Sequence, residues 1–346
     1  MIASAKRRPV FFALAALLLG LSVGVDQAPL EAQAQPVSPV EVVPNGPSAS
    51  QLYQLWFLDA IKADPALAKA AAAADAGRQK EALDRYLILA KKGNVWAAYQ
   101  VGERYANGRG TARNPQLAVG WLHPAAEAGF GPALMLLAEL LESDPVVQNK
   151  RGAAVYYLKA METFPKARYR LALMYLNGDP FEKDDQKAAA LAITAGMTGL
   201  PDAQYLYGTM LRDGVGVEAN PAASVSWFRM AARAGLPNAQ LMLSQAYGTG
   251  NGTLENPALA LDWARQAAQN GNLDAQLLTG LLLARGHGAA TNADQAVFWL
   301  EMAAERYMKR NATRGAILTL VELEKVHPDS AVIDKLKNFI AAQSPK

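Results

Sequence analysis

The sequence predicts an all-α fold, an α-solenoid of stacked antiparallel helix pairs, and three observations predict it. Residues 201–236 and 237–272 align without a gap and share a Pro-x-Ala-Gln opening, a Gly-x-Gly loop, an Asn-Pro pair, a Trp, an Ala-Ala pair and a Gly. The same unit starts at Ala97, Ala133, Ala167, Ala203, Ala239 and Ala275, spaced 36, 34, 36, 36 and 36 residues apart. Twenty-four residues after each start stand Trp121, Tyr157, Leu191, Trp227, Trp263 and Trp299, one large side chain at a fixed place. A period of this length marks a solenoid, in which each unit buries its apolar face only against its neighbours.

Composition agrees with a folded chain. Of 346 residues, 51% are apolar and 19% charged, enough to bury a continuous core. There is no cysteine, which excludes disulfides, thiolate metal sites and cysteine nucleophiles. The net charge is +3. Without residues 1–34 it is +2 (34 basic less three, 31 acidic less two), so no electrostatic footprint for nucleic acid or an anionic membrane is present.

Residues 1–34 read as a signal peptide. Lys6, Arg7 and Arg8 form a basic start, Val10 to Val25 an apolar run, and Ala32-Gln33-Ala34 a small-x-small site before Gln35. The run is shorter than the roughly 20 residues a spanning helix needs, so no membrane insertion is expected after cleavage. An uncleaved anchor is the competing reading. Residues 35–50 carry four prolines and no helical period, an extended linker.

Residues 51–93 read as irregular N-terminal helices and a half repeat. A helix runs from Gln51 to about Ala63 and breaks at Asp64-Pro65, an Ala-rich one reaches Gly77, and Gln79 to Lys92 matches the second half of a unit. Six full units fill residues 94–308. Five residues after each start a small residue, Gly102, Ala138, Ala172, Gly208, Ser244 or Gly280, lets the first helix approach its partner. Three further on, Tyr105, Leu141, Tyr175, Leu211, Tyr247 and Leu283 share a helical face and fill the space between hairpins. Gly108, Gly178, Gly214, Gly250 and Gly286 sit where a left-handed residue ends a helix. Asn114-Pro115, Asn220-Pro221 and Asn256-Pro257 start the next, Asn as N-cap and Pro in the first turn. The unit at 131–164 lacks the loop glycines and two residues of its second helix, so an irregularity is expected there. After Met308 the pattern stops, and residues 309–346 read as two amphipathic capping helices, Asn311 to Val326 and Ser330 to Gln343.

The combination Ala-Gln-x-x-x-Gly, Gly-x-Gly, Trp and Ala-Ala-x-x-Gly in 36 residues resembles the Sel-1-like repeat, a relative of the tetratricopeptide repeat. The resemblance covers residues 94–308 and departs at 131–164, where Asp144 and Val146 replace the loop glycines, and at Leu191, which replaces Trp. It implies a right-handed superhelix that serves as a scaffold or adaptor, in secreted bacterial members often in envelope assemblies.

Chemistry is hard to place on this chain. His123, His287 and His327 lie in different units without metal-ligand spacing. Asp179, Glu182, Asp184 and Asp185 lack the alternating ligands and central Gly of a calcium loop, and Asp184 falls at an N-cap position. No nucleophile elbow, phosphate loop or dinucleotide fingerprint occurs. No catalytic residue, cofactor or metal is therefore expected. Secreted relatives described as β-lactamases or peptidoglycan-acting are cysteine-rich, which sets a hydrolase reading behind a binding one.

In tetratricopeptide-like stacks the first helices line a concave groove. Two residues after each start, Tyr99, Met135, Tyr169 and Tyr205 point into it, followed by Leu241 and Leu277; one turn on come Glu103 and Glu139, then Leu173, Thr209, Gln245 and Leu281. Aromatic residues flanked by polar groups suit an extended peptide or a helix, so Tyr99, Glu103, Met135, Glu139, Tyr169 and Tyr205 are the candidate contacts of a protein partner in the envelope. Packing of first helix on first helix is the bland alternative for the same residues. A cell-wall glycan stacking on the tyrosines is the second functional reading.

Overall fold

The computed structural model describes residues 57–343. The signal peptide, the linker and the start of the first helix, expected within residues 1–56, lie outside the described residues. After a helical stretch at 57–63 come α1 (Pro65–Asp75), α2 (Gln79–Lys91), α3 (Val95–Asn107), α4 (Pro115–Glu127), α5 (Gly131–Ser143), α6 (Lys150–Ala160), α7 (Pro165–Asn177) and α8 (Asp185–Gly196). They are followed by α9 (Pro201–Asp213), α10 (Pro221–Arg233), α11 (Pro237–Thr249), α12 (Pro257–Gln269), α13 (Leu273–Arg285), α14 (Ala293–Lys309), α15 (Thr313–Val326) and α16 (Ala331–Gln343). Among the described residues there is no strand, and consecutive helices pack in pairs, the α-solenoid that the 36-residue period predicts. The helices fall into two compact units, one holding residues 57–203 and 215–217, the other residues 204–214 and 218–343.

In the first unit a continuous core runs from Leu67 through Tyr86, Val101, Leu122, Leu137 and Tyr157 to Leu171. In the second, Phe228, Leu243, Leu261, Leu278 and Leu283 form one cluster and Leu277, Leu300, Leu323 and Leu336 another. All six start alanines are fully buried. The glutamine beside them links neighbouring pairs. Gln240 and Gln276 each donate Nε2 to a carbonyl near the end of the preceding helix, Ala232 and Ala268, at 3.2 Å. These carbonyls already accept the turn N–H of Gly235 and Gly271, at 3.0 and 3.1 Å, so the buried amide takes their second lone pair and ties one pair to the next.

Outside the unit at 131–164, the turn within each full unit repeats a single solution. The C-cap glycines 108, 178, 250 and 286 are left-handed, with φ of 71°, 68°, 73° and 65°. The next helix starts on Asn114, Asp184, Asn220, Asn256 or Asn292, whose side chain accepts from an N–H in the first turn. The N–H of the same residue donates back to the eighth residue after the start, for example Asn256 to the Tyr247 carbonyl at 2.7 Å. Asp184 therefore belongs to the frame of the repeat. The Lys187 N–H it accepts, followed by the Lys187 ammonium, holds its carboxyl below the usual range.

The second glycine of each loop answers a steric demand. A Cβ on Gly252 would overlap the Pro221 carbonyl, one on Gly288 the Pro257 carbonyl, and one on Gly110 the Gln79 carbonyl. Each loop thus sits directly on the first turn of the preceding second helix, where only a missing side chain permits that approach.

The side chain that fills the groove over the small residue is the one after the recurrent Trp. A Cβ on Gly102 would stand 2.5 Å from Leu122 Cγ, one on Gly208 2.8 Å from the Phe228 ring, and one on Gly280 2.7 Å from Leu300 Cγ. Where the small residue is Ala172 or Ser244, the position opposite is Ala192 or Ala264. The tryptophans flank this contact half-exposed, Trp227 edge-on to Tyr207 with centroids 5.1 Å apart.

The unit at 131–164 is irregular, but its two missing residues do not both come from the second helix. Asn149 caps α6 sixteen residues after Ala133, where the other units take seventeen, so one residue is lost from the loop. Tyr157 is consequently in register with Leu122 rather than with Trp121, and it is fully buried. Its hydroxyl donates to Glu142 Oε2 at 2.7 Å, and Arg170 Nε donates to the same oxygen at 2.9 Å. Burial and the Glu142 carboxylate push the Tyr157 phenol well above its ordinary range. Asp144 replaces the missing glycine turn: its side chain accepts from the Val146 N–H at 2.9 Å and pairs with Arg113.

The repeat motif ends near Met308, the last match reaching residue 307, but the helix pairing continues beyond it. Helix α14 has 17 residues where the second helices of the other five full units have at most 13, one turn more than the longest of them. Asn311 then takes the left-handed place (φ 55°) that Gly271 takes one unit earlier. Gly315 stands where a start alanine belongs, and Thr319 bonds the Gly315 carbonyl as Thr279 bonds that of Ala275, both at 2.7 Å. Helices α15 and α16 form one more helix pair, its start delayed by four residues, with Leu320 at the place of the small residue and no glycine in the turn at 327–330.

Candidate functional site

The first helices of successive pairs carry the candidate contacts. In the first unit Tyr99 and Glu103 lie on α3, Met135 and Glu139 on α5 and Tyr169 on α7. The start alanine is buried, so the residue two further on is turned away from the paired helix by the 3.6-residue period. Tyr99 and Tyr169 are half-buried there. Tyr99 rests on Trp96 and Phe130, with ring centroids 5.6 and 5.5 Å away. Met135 is only 8% exposed and belongs to the core, so it supplies floor rather than a contact. Tyr205, in the second unit, leans on Phe228 at 5.8 Å, and burial raises its phenol. Further along, Leu241, Leu277 and Leu281 are buried, so the equivalent positions toward the C-terminus are core.

The two candidate carboxylates are engaged. Glu103 pairs with Arg109 at 3.1 Å and Glu139 with Lys166 at 2.7 Å. The first of these ion pairs borders a cavity of about 480 Å³ lined from α1, α2 and α3 and from Phe57. Gln79, Tyr86, Gln100 and Arg104 complete it, none of them singled out from the sequence. The signal that points to Arg104 is its offset: the sister units carry Leu140, Met174, Met210, Ala246 and Leu282 there.

The residues weighed for metal chemistry are dispersed. His123 lies on α4, edge-on to Tyr156 at 6.3 Å, His287 in a loop and His327 at the end of α15. Among the described residues no group of three or more His, Asp or Glu is placed to hold a metal ion, and no helix is long and apolar enough to cross a membrane.

A family model described as Sel1 repeat matches residues 97–130, 165–197, 201–236, 237–272 and 273–307. It passes over 131–164, where the shortened loop disturbs the motif and the helix pair persists. None of the curated proteins matches the chain. Among solved structures, the fold is similar to that of c5321, a protective antigen present in uropathogenic Escherichia coli strains and displaying an SLR fold. That protein is 24% identical, with a TM-score of 0.67 over 75% of this chain, and this chain spans 56% of it. A Sel1 repeat protein from Oxalobacter formigenes is 32% identical with a TM-score of 0.62, over 70% of this chain and 71% of that one. Sel1 repeats form scaffold folds that typically mediate protein–protein interaction. With five matched repeats and the helix pairing and turn geometry that the motif requires, the chain belongs to the Sel1 repeat family.

Proposed function

We propose that this protein is an exported, non-enzymatic scaffold of the bacterial cell envelope, periplasmic or secreted, that binds a protein partner through the inner face of its first helices. The observation that carries the reading is the pair Tyr99 and Tyr169, half-exposed at one repeat position, with Glu103 and Glu139 a turn further along α3 and α5. Aromatic rings supply contact area at low entropic cost, and carboxylates already held by Arg109 and Lys166 supply directed acceptors.

Affinity capture from a native envelope extract with residues 35–346 tests the binding surface. A partner retained by the wild type is expected to be lost by Tyr99→Ala/Tyr169→Ala and weakened about thirtyfold by Tyr169→Ala alone, each variant first shown to keep its helical circular dichroism. An aromatic anchor at an interface is worth about 2 kcal/mol or more. Equal retention by the variants moves the site elsewhere, and retention on purified wall material without protein transfers the reading to a glycan. Export rests on the basic start, the apolar run and Ala32-Gln33-Ala34. The N-terminal sequence of the mature protein is expected to begin at Gln35; a membrane-bound chain that still begins at Met1 transfers the reading to an uncleaved anchor, and a chain that begins at Met1 and stays in the cytoplasmic fraction removes the exported reading.

A further inference from the structure

Arg104 breaks the rule of its own repeat. At the same offset the sister units bury Leu140, Met174, Met210, Ala246 and Leu282, and Arg104 is buried equally, at 4% exposure. A guanidinium is far costlier to desolvate than the methionine found in two sister units, unless it is well paired. Here it is under-served. Nη1 donates to Gln100 Oε1 at 2.7 Å and more loosely to the Gln100 carbonyl at 3.5 Å, the guanidinium lies 4.6 Å from the centre of the Tyr86 ring, and Nε has no hydrogen-bond partner among the described residues. The only carboxylate within ion-pair range among the described residues, Glu103 at 3.9 Å, is held more closely by Arg109 at 3.1 Å.

The same side chain lines the cavity of about 480 Å³, whose remaining wall is apolar at Phe57, Ala71 and Ala74. That volume lies within the usual range of small-ligand sites. We infer that the cavity takes a carboxylate on a short apolar stem, with Arg104 as its counter-ion and the Phe57–Ala71–Ala74 wall covering the stem. A planar guanidinium matches the two oxygens of a carboxylate. A dianionic phosphate is disfavoured because Asp75 and Glu103 also border the space. Arg109 and Glu103 offset one another and Asp75 is exposed, which leaves the Arg104 guanidinium as the uncompensated charge of the lining. The carboxylate comes from a peptide C-terminus or from an acidic side chain. This inference rests on the reading of the chain as a binding scaffold and names the chemistry of what it binds.

The test uses the full mature chain and three acetylated hexapeptide pools that are otherwise free of Asp and Glu: one with a free C-terminal carboxylate, one amidated, and one amidated with a single central Glu. Fluorescence-polarisation titration is expected to show at least tenfold tighter binding of the first or the third pool than of the second, and which of the two binds identifies the source. Arg104→Met, which installs the residue found at 174 and 210, is expected to melt no lower than the wild type and to lose that preference. No preference for a carboxylate overturns the inference. So does a clearly lower melting temperature for Arg104→Met, which makes Arg104 a structural keystone. Failure of the pools while capture still responds to Tyr169→Ala removes the cavity and leaves the scaffold reading. Pool binding without capture does the reverse.

Discussion

Gly252→Ala is expected to destabilise the protein by about 3 kcal/mol and Gly235→Ala by only about 1 kcal/mol, although both glycines are left-handed, at φ 76° and 88°. The two share the penalty of placing an L-residue in that region and the same loss of entropy in the unfolded chain. They differ in what the new methyl group meets. Nothing lies within 4 Å of a Cβ at Gly235, whereas at Gly252 it overlaps the backbone carbonyl of Pro221. A carbonyl at the start of a capped helix cannot turn aside as a side chain does, so the loop must lift from α10. Urea midpoints at unchanged slope measure the difference. Equal costs at the two positions would mean that the loop does not need its seat on the preceding helix.

That pair of glycines also shows what was legible in the sequence. Both belong to the recurrent motif, and the turns, the Asn caps and the buried start alanines could be read because each is a local device that recurs at a fixed offset. What depends on the facing residue was harder to read. Tryptophan is the conspicuous marker of the period, yet the neighbour after it fills the space over the small residue, because a helix turns 100° per residue and only the next position faces inward. The loop deletion ahead of Asn149 moves Tyr157 into that inward position, which an ungapped count hides. The extra turn of α14 delays the last helix pair by four residues, which takes Gly315 out of the 36-residue count. Met135, Leu241 and Leu277 share an offset with Tyr99, but their burial depends on what the adjacent helices place over them. A charged residue on an amphipathic helix reads as surface, so only comparison with its five sister positions marks Arg104 as buried.

Gly208→Ala is expected to change sign with its neighbour: destabilising by about 1 kcal/mol in the wild type, and stabilising by about 0.5–1 kcal/mol in the Phe228→Ala background. In the wild type a Cβ at 208 stands 2.8 Å from two carbons of the Phe228 ring, and that ring is 2% exposed. The cost of overpacking, about 1–3 kcal/mol, then exceeds the roughly 1 kcal/mol that alanine gains over glycine inside a helix. Phe228→Ala alone should cost about 3–5 kcal/mol, because it removes a buried ring and leaves a cavity against α9. Once the ring is gone the clash is gone too, and the helical preference of alanine acts alone. The double variant reproduces the pairing that the chain already uses at Ala172 and Ala192, so it is expected to fold and to be more stable than Phe228→Ala. A coupling of about 1.5–2 kcal/mol between the two sites follows, measurable as a double-mutant cycle of unfolding free energies. Additive effects would mean that the helix pair adjusts its spacing freely. Strong coupling would mean that spacing is set jointly by the two residues, and that glycine with a large side chain or two small residues are equivalent ways of closing the same helix pair.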